Sequence, residues 1–218
     1  PTIQESGGKA LDNGMSIKVL FEQLKDIRKE VSLPILFMGY FNPILQYGVE
    51  AFCEKSKELG IGGLILPDLP MHQYKTTYQK TFQENNLSNV FLVTPQTANE
   101  RLKVIDECSE GFIYVVSTNS TTGNNTKKIE NNEAYFERIQ QANLSNPTLV
   151  GFNVKDHASF KKASMYGNGA IIGSAFITVS YTHLRAHETD SYLVCRLLLE
   201  KRTPCSGWRT RRRRRRQP

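Results

Sequence analysis

No run of about 18 apolar residues occurs anywhere in the 218-residue chain, so no membrane-spanning helix is expected. No charged-then-apolar leader opens it. Cysteine is scarce: Cys53, Cys108, Cys195 and Cys205 are the whole set, and none forms a C-x-x-C pair. That spacing argues against a disulfide scaffold and for a reducing compartment, so the chain is expected to be soluble and cytoplasmic. No G-x-G-x-x-G follows an apolar run, which disfavours a dinucleotide-binding fold. His72 and His157 match no ligand spacing; His183 and His187 stand one helical turn apart but lack the Glu of H-E-x-x-H, and no metal is expected. Positive charge is missing from most of the chain despite a formal net charge of +7. Residues 179–218 hold eleven Lys and Arg against three Asp and Glu, whereas residues 1–178 hold seventeen against eighteen. A near-neutral body fits neither nucleic acid nor a membrane surface as partner, and an RNA-binding module is favoured by the basic tail alone.

What the chain does contain is a repeating alternation. Residues 16–31 place Ile17, Leu20, Phe21, Leu24 and Ile27 on one helical stripe behind Ser16, a suitable N-cap. Apolar, strand-like runs follow at 34–40, 63–69, 89–95, 111–117, 148–154 and 169–176. Amphipathic stretches at 48–60, 74–85, 98–110, 132–142 and 157–167 separate them. Near-continuously apolar strands joined by helical crossovers mean an α/β fold with a parallel sheet. The doubly wound sheet and the (β/α)8 barrel both satisfy this pattern. The barrel is preferred: an incomplete TIM (β/α)8 barrel with six of its eight strands retained, spanning residues 1–178. Its first and last strands would then carry unpaired edges, which favours aggregation.

Barrel chemistry collects at the C-terminal ends of the strands. The residues there include Tyr40, Asp68, Pro70, Thr94, Pro95, the segment 117–128, Gly151 and the Gly173-Ser174-Ala175 tripeptide. The segment STNSTTGNNTKK has the composition of an active-site lid. Gly-Ser-Ala beside GFN suits a phosphate site, because small residues let backbone N–H groups approach phosphate oxygens. Asp68 is the acidic residue singled out at a strand end outside the lid, with structural or interface duty favoured over catalysis. Tyr40 and Tyr114 read either as cavity-lining residues or as core aromatics.

The ordered set PTIQESGGKAL, PILFMGYFNPILQYG, GLILPDLP, FLVTPQT, YVVSTNSTTG, LVGFNV and GAIIGSAF resembles the alpha subunit of tryptophan synthase over residues 1–177. The resemblance implies the same barrel and a lyase of tryptophan biosynthesis. Such an enzyme cleaves indole-3-glycerol phosphate to indole and glyceraldehyde 3-phosphate by retro-aldol chemistry. It also implies a beta-subunit partner, in an alpha2beta2 assembly, that carries the pyridoxal phosphate; this chain is expected to hold no cofactor itself. Carried over by position, Tyr40 matches a substrate-binding tyrosine at the end of the third barrel strand and Tyr114 one lining the substrate cavity; Thr122 helps close the lid and the Gly123 N–H meets phosphate. Gly151, Phe152 and Asn153 form one phosphate loop, Gly173 and Ser174 the other. Asp68 and Pro70 fall near the partner interface. Asn153 stands where the resemblance leads one to expect Gly, and Asn is the non-glycine residue that best tolerates a left-handed backbone.

By the same resemblance, the family's acid and base carboxylates precede Pro1, the first residue of the P-T-I-Q stretch that opens this sequence. No catalytic residue is therefore assigned, and the chain is expected to be an inactive fragment. Another phosphate-binding barrel, an isomerase or aldolase, is the alternative among enzymes. From Val179 the string VSYTHLRAHET resembles an in-frame translation of a sequencing adapter, so residues 179–218 are expected to be a non-native, disordered tail.

Overall fold

A computed structural model describes residues 2–117, 133–151, 154 and 156–184. Seven short strands lie in it: β1 (Leu36–Met38), β2 (Gly63–Ile65), β3 (Ser88–Val90), β4 (Leu92–Val93), β5 (Ile113–Val116), β6 (Thr148–Gly151) and β7 (Gly169–Ala170). All pairing is parallel, in the orders β1-β2-β3 and β4-β5-β6-β7. Only Phe91 separates β3 from β4, and its carbonyl accepts from Tyr114 N–H at 3.0 Å. The two ladders are thus one curled ribbon of six strand positions, as the alternation predicts. The single strand expected at 89–95 changes partners at Phe91, pairing with β2 before it and with β5 after it.

Alternation along the strands separates two apolar layers. Ile65, Val90, Phe112, Tyr114, Val116, Leu149 and Ile171 face the concave interior. Leu64, Phe91, Val93, Ile113, Val115 and Val150 face the helices. On the outer face of β1, Phe21 meets Phe37, Tyr47 and Phe52 at ring separations of 6.1, 5.5 and 5.4 Å. Removing one such ring from water stabilises the fold by about 1.5–3 kcal/mol.

The helices are α1 (Thr2–Asp12), α2 (Ile17–Gln23), α3 (Ile27–Glu30), α4 (Phe41–Tyr47), α5 (Val49–Glu58), α6 (Met71–Gln73), α7 (Gln79–Glu84), α8 (Asn99–Cys108), α9 (Glu133–Gln141), α10 (His157–Tyr166) and α11 (Ser174–Leu184). Ser16 caps α2 as expected, its Oγ accepting from Val19 N–H at 3.3 Å. The helix predicted over 16–31 breaks between Leu24 and Asp26 into α2 and α3. Arg28 then turns back and donates to the carbonyls of Gly60, Val31 and Leu33, tying α3 to the end of α5.

One further expectation needs correction, and two helices stand where the alternation assigned none. Residues 2–12 form a helix although PTIQESGG carries no helix-start signal, and α1 is held by packing against α11. The described chain enters this helix at Thr2, and Pro1 lies outside the described residues. FNPILQY is the separate helix α4, which turns into α5 through Gly48 at φ +99°, a conformation that favours glycine. The strand expected over 169–176 ends at Ala170, and the chain enters α11 at Ser174. That last helix runs on to Leu184, into the segment expected to be a tail. The rest of the expected tail lies outside the described residues.

Candidate functional site

The C-terminal ends of the parallel strands gather on one rim. Tyr40 follows β1 and is 71% exposed, so it is a rim residue and not a core aromatic. Asp68 follows β2, and both its carboxylate oxygens lie 2.9 Å from Phe41 N, accepting the N–H that opens α4. The carboxylate thereby satisfies a helix-terminal donor from a neighbouring loop and locks the first two strand-end loops together. Pro70 precedes α6, and its carbonyl accepts from Tyr74 N–H at 2.9 Å.

Tyr114 is 4% exposed and belongs to the interior layer. Its phenol leans over Gly151, the end of β6: a Cβ at that position would stand 2.5 Å from Tyr114 Cε1 and closer still to the hydroxyl. Only a residue without a side chain admits the ring there. Gly173 and Ser174 lie past β7, with Ser174 as the first residue of α11. Backbone N–H groups at such a helix start point outward without intrahelical partners, an arrangement suited to anions. The structure thus brings Tyr114 against Gly151 and places Gly173 and Ser174 at a helix N-terminus on the same rim. Thr122, Gly123, Phe152 and Asn153 lie outside the described residues, as Pro1 does.

Sequence reasoning missed three features. Ile3 of α1 reaches the rim, its Cδ1 lying 3.3 Å from where a Gly173 Cβ would be; no periodic signal marked α1. Asp156 is a second acidic residue in a strand-end loop, contrary to the singling out of Asp68. It caps α10, accepting from Ser159 N–H at 2.8 Å and pairing with Ser159 Oγ at 2.6 Å. Both described carboxylates on this face are therefore engaged at helix starts, which is structural duty. The third feature is a clamp from α9. Arg138 donates to the carbonyls of Thr97 at 2.5 Å and Pro95 at 3.0 Å and to Asn99 Oδ1 at 3.1 Å. Its guanidinium lies 5.6 Å from the Tyr135 ring centre, and Tyr135 donates to the Val93 carbonyl at 3.0 Å. Burial raises the Tyr135 phenol above its ordinary range, although the Arg138 charge works the other way. The protonated phenol is the donor this contact requires. The i, i+3 spacing of Tyr135 and Arg138 on α9 was the available signal.

Elsewhere the chemistry is muted. Burial, assisted by Glu50 and Glu54, pushes the Cys53 thiol up to about 12, which leaves it a packing residue. No group of three or more His, Cys, Asp and Glu side chains able to hold a metal occurs among the described residues. A cavity of about 380 Å³ opens at the opposite end of β6 and β7, lined in part by Asn143, Asn146, Thr148, Met165, Tyr166 and Asn168. Its polar side chains are already used: Asn146 bonds Asp106, and Asn168 accepts from Thr148 N–H at 2.9 Å.

The family model described as tryptophan synthase alpha chain matches residues 1–200, beyond the end at Ile177 that the motifs suggested. The tryptophan synthase alpha chain of Flavobacterium psychrophilum is 55% identical over 177 residues, covering 81% of this chain and 70% of the relative. That of Parabacteroides distasonis is 45% identical over 198 residues, covering 91% of this chain and 76% of the relative. Among solved structures, the tryptophan synthase A-subunit of Pyrococcus furiosus superposes with a TM-score of 0.71 at 34% identity, covering 83% of this chain and 72% of that one.

Proposed function

Because the chain belongs to the tryptophan synthase alpha chain family, we propose that its rim is the phosphate-gripping and indole-facing part of a carbon–carbon lyase site. The substrate is indole-3-glycerol phosphate, cleaved to indole and glyceraldehyde 3-phosphate. The carrying observation is the placement of Gly173 and Ser174 at the start of α11, on the rim that also holds Tyr114 packed on Gly151. A phosphoester seated on the N–H groups of Gly173 and Ser174 would direct the rest of the substrate along the Tyr114 face toward Tyr40. Phe152, Asn153, Thr122 and Gly123 complete the proposed phosphate loop and lid.

The reaction itself needs three proton movements. C3 of the indole gains a proton, N1–H is polarised, and a hydroxyl of the glycerol chain loses its proton as the carbon–carbon bond breaks. Two carboxylates with separately tuned pKa values suit that work. Asp68 and Asp156 do not fit those roles, since each already serves backbone N–H groups. The acid and base are assigned to none of the described residues, and the rim is proposed to bind the phosphoester. The proposed partner is a beta subunit in an alpha2beta2 assembly, which holds the pyridoxal phosphate; Asp68 and Pro70 are the proposed interface residues. A cytoplasmic location is proposed with it, and no helix among the described residues is long and apolar enough to cross a membrane. The test is incubation of the purified chain with indole-3-glycerol phosphate. Saturable binding that inorganic phosphate weakens is expected, and no binding would overturn the reading.

A further inference from the structure

The helix-facing side of β3 carries polar groups that the proposed chemistry does not use. Tyr74, Asn89 and Ser109 are 0%, 1% and 5% exposed. Tyr74 Oη, Asn89 Oδ1 and Ser109 Oγ have no hydrogen-bond partner among the described residues. Several contacts bring the three residues together. The Tyr74 ring stands edge-on to Phe91 at 5.3 Å, and Asn89 lies two residues before Phe91, on the same face of the strand. Glu110 N–H donates to the Asn89 carbonyl at 3.1 Å, which seats Ser109, at the end of α8, beside β3. Burial raises the Tyr74 phenol above its ordinary range, and the nearby Glu110 carboxylate adds to that. Gln83 of α7 donates to Glu110 Oε1 at 3.1 Å, tying α7 to the residue that follows Ser109.

Two irregularities of the fold meet at this point. A π-helical turn, Tyr74–Tyr78, interrupts the run from α6 to α7, and π turns arise where a helix absorbs an extra residue. The sheet changes partner at Phe91, between β3 and β4. Unpaired oxygens in an apolar layer are costly, and a bound water is the small ligand that relieves them when two or more polar groups converge. The donor and acceptor count suits one water. The Tyr74 and Ser109 hydroxyls can donate to its oxygen, and its own protons can reach Asn89 Oδ1.

We propose that Tyr74 Oη, Asn89 Oδ1 and Ser109 Oγ form a binding site for internal water, a structural ligand that pins the π-helical turn and the end of α8 to β3 where the sheet changes partner. Oxygen-17 relaxation dispersion on the purified 218-residue chain reads long-lived internal water directly. The Tyr74→Phe and Ser109→Ala variants are each expected to lose the equivalent of about one such water. Profiles unchanged in both variants overturn the proposal. Should a variant fail to fold, a crystal structure of the unsubstituted chain decides. A water within roughly 3.2 Å of at least two of the three oxygens is expected; a dry cluster, or oxygens paired directly with protein groups, overturns the proposal.

Discussion

At the scale of single residues, Gly151 and Asp106 are held by different physics. Gly151 is required by proximity, because its missing side chain is the space the Tyr114 phenol fills. Gly151→Ala is expected to cost about 1–3 kcal/mol in urea denaturation, as overpacking does. The cost should fall when Tyr114→Leu is added, so a double-mutant cycle should show strong coupling. Asp106 is held by hydrogen bonding. Burial would raise its carboxyl, but the N–H groups of Ser145 at 2.7 Å and Asn146 at 2.9 Å outweigh it and keep the group below its ordinary value of 3.8. A depressed folded value means the stabilisation is complete above the unfolded value. It is lost as pH falls through the lower folded one. Acid titration of stability should therefore steepen below about pH 4, and Asp106→Asn should flatten it while lowering stability at neutral pH.

Elements show what the sequence could and could not disclose. Periodicity located the helices α5, α8, α9 and α10 and all six strand positions, since each buries a regular stripe. It missed α1, whose packing partner α11 lies at the far end of the chain, a distance local patterning does not register. It overran β7, because GAIIGSAF is apolar throughout and the helix start at Ser174 carries no apolar contrast. The rim glycines were legible from their place at the strand ends, as a weak pattern, whereas a cavity-lining role for Tyr114 came only through family resemblance. Of the Arg138 clamp only the i, i+3 spacing to Tyr135 was there to be read, since its main acceptors are main-chain carbonyls, which no side-chain pattern encodes. That clamp predicts its own variant series. Arg138→Ala should cost about 1.5–3 kcal/mol, as charged hydrogen bonds do, and raise amide exchange at Thr97 and Asn99. Arg138→Lys should recover little, because a point charge cannot span the carbonyls of Pro95 and Thr97 together.

For the molecule as a whole, exposed apolar side chains follow the open ribbon. Among the described residues the large ones are Ile3 and Leu11 on α1, Val19, Leu33, Met38, Tyr40, Leu45 and Tyr47 in the elements around β1, and Met165 and Val179 late in the chain. The stretch from α5 to α9 has none among its described residues, which matches strands paired on both sides there and singly at β1 and β7. The ribbon nevertheless keeps its rim, and the rim carries the functional reading. Backbone amide shifts followed by NMR during titration with indole-3-glycerol phosphate, then with inorganic phosphate as competitor, test it most directly. Saturable shifts at Gly151, Gly173 and Ser174 are predicted, with inorganic phosphate raising the substrate concentration needed to reach half-saturation. Shifts confined to Asn146, Thr148 and Asn168 around the opposite cavity, or none at all, would contradict the account.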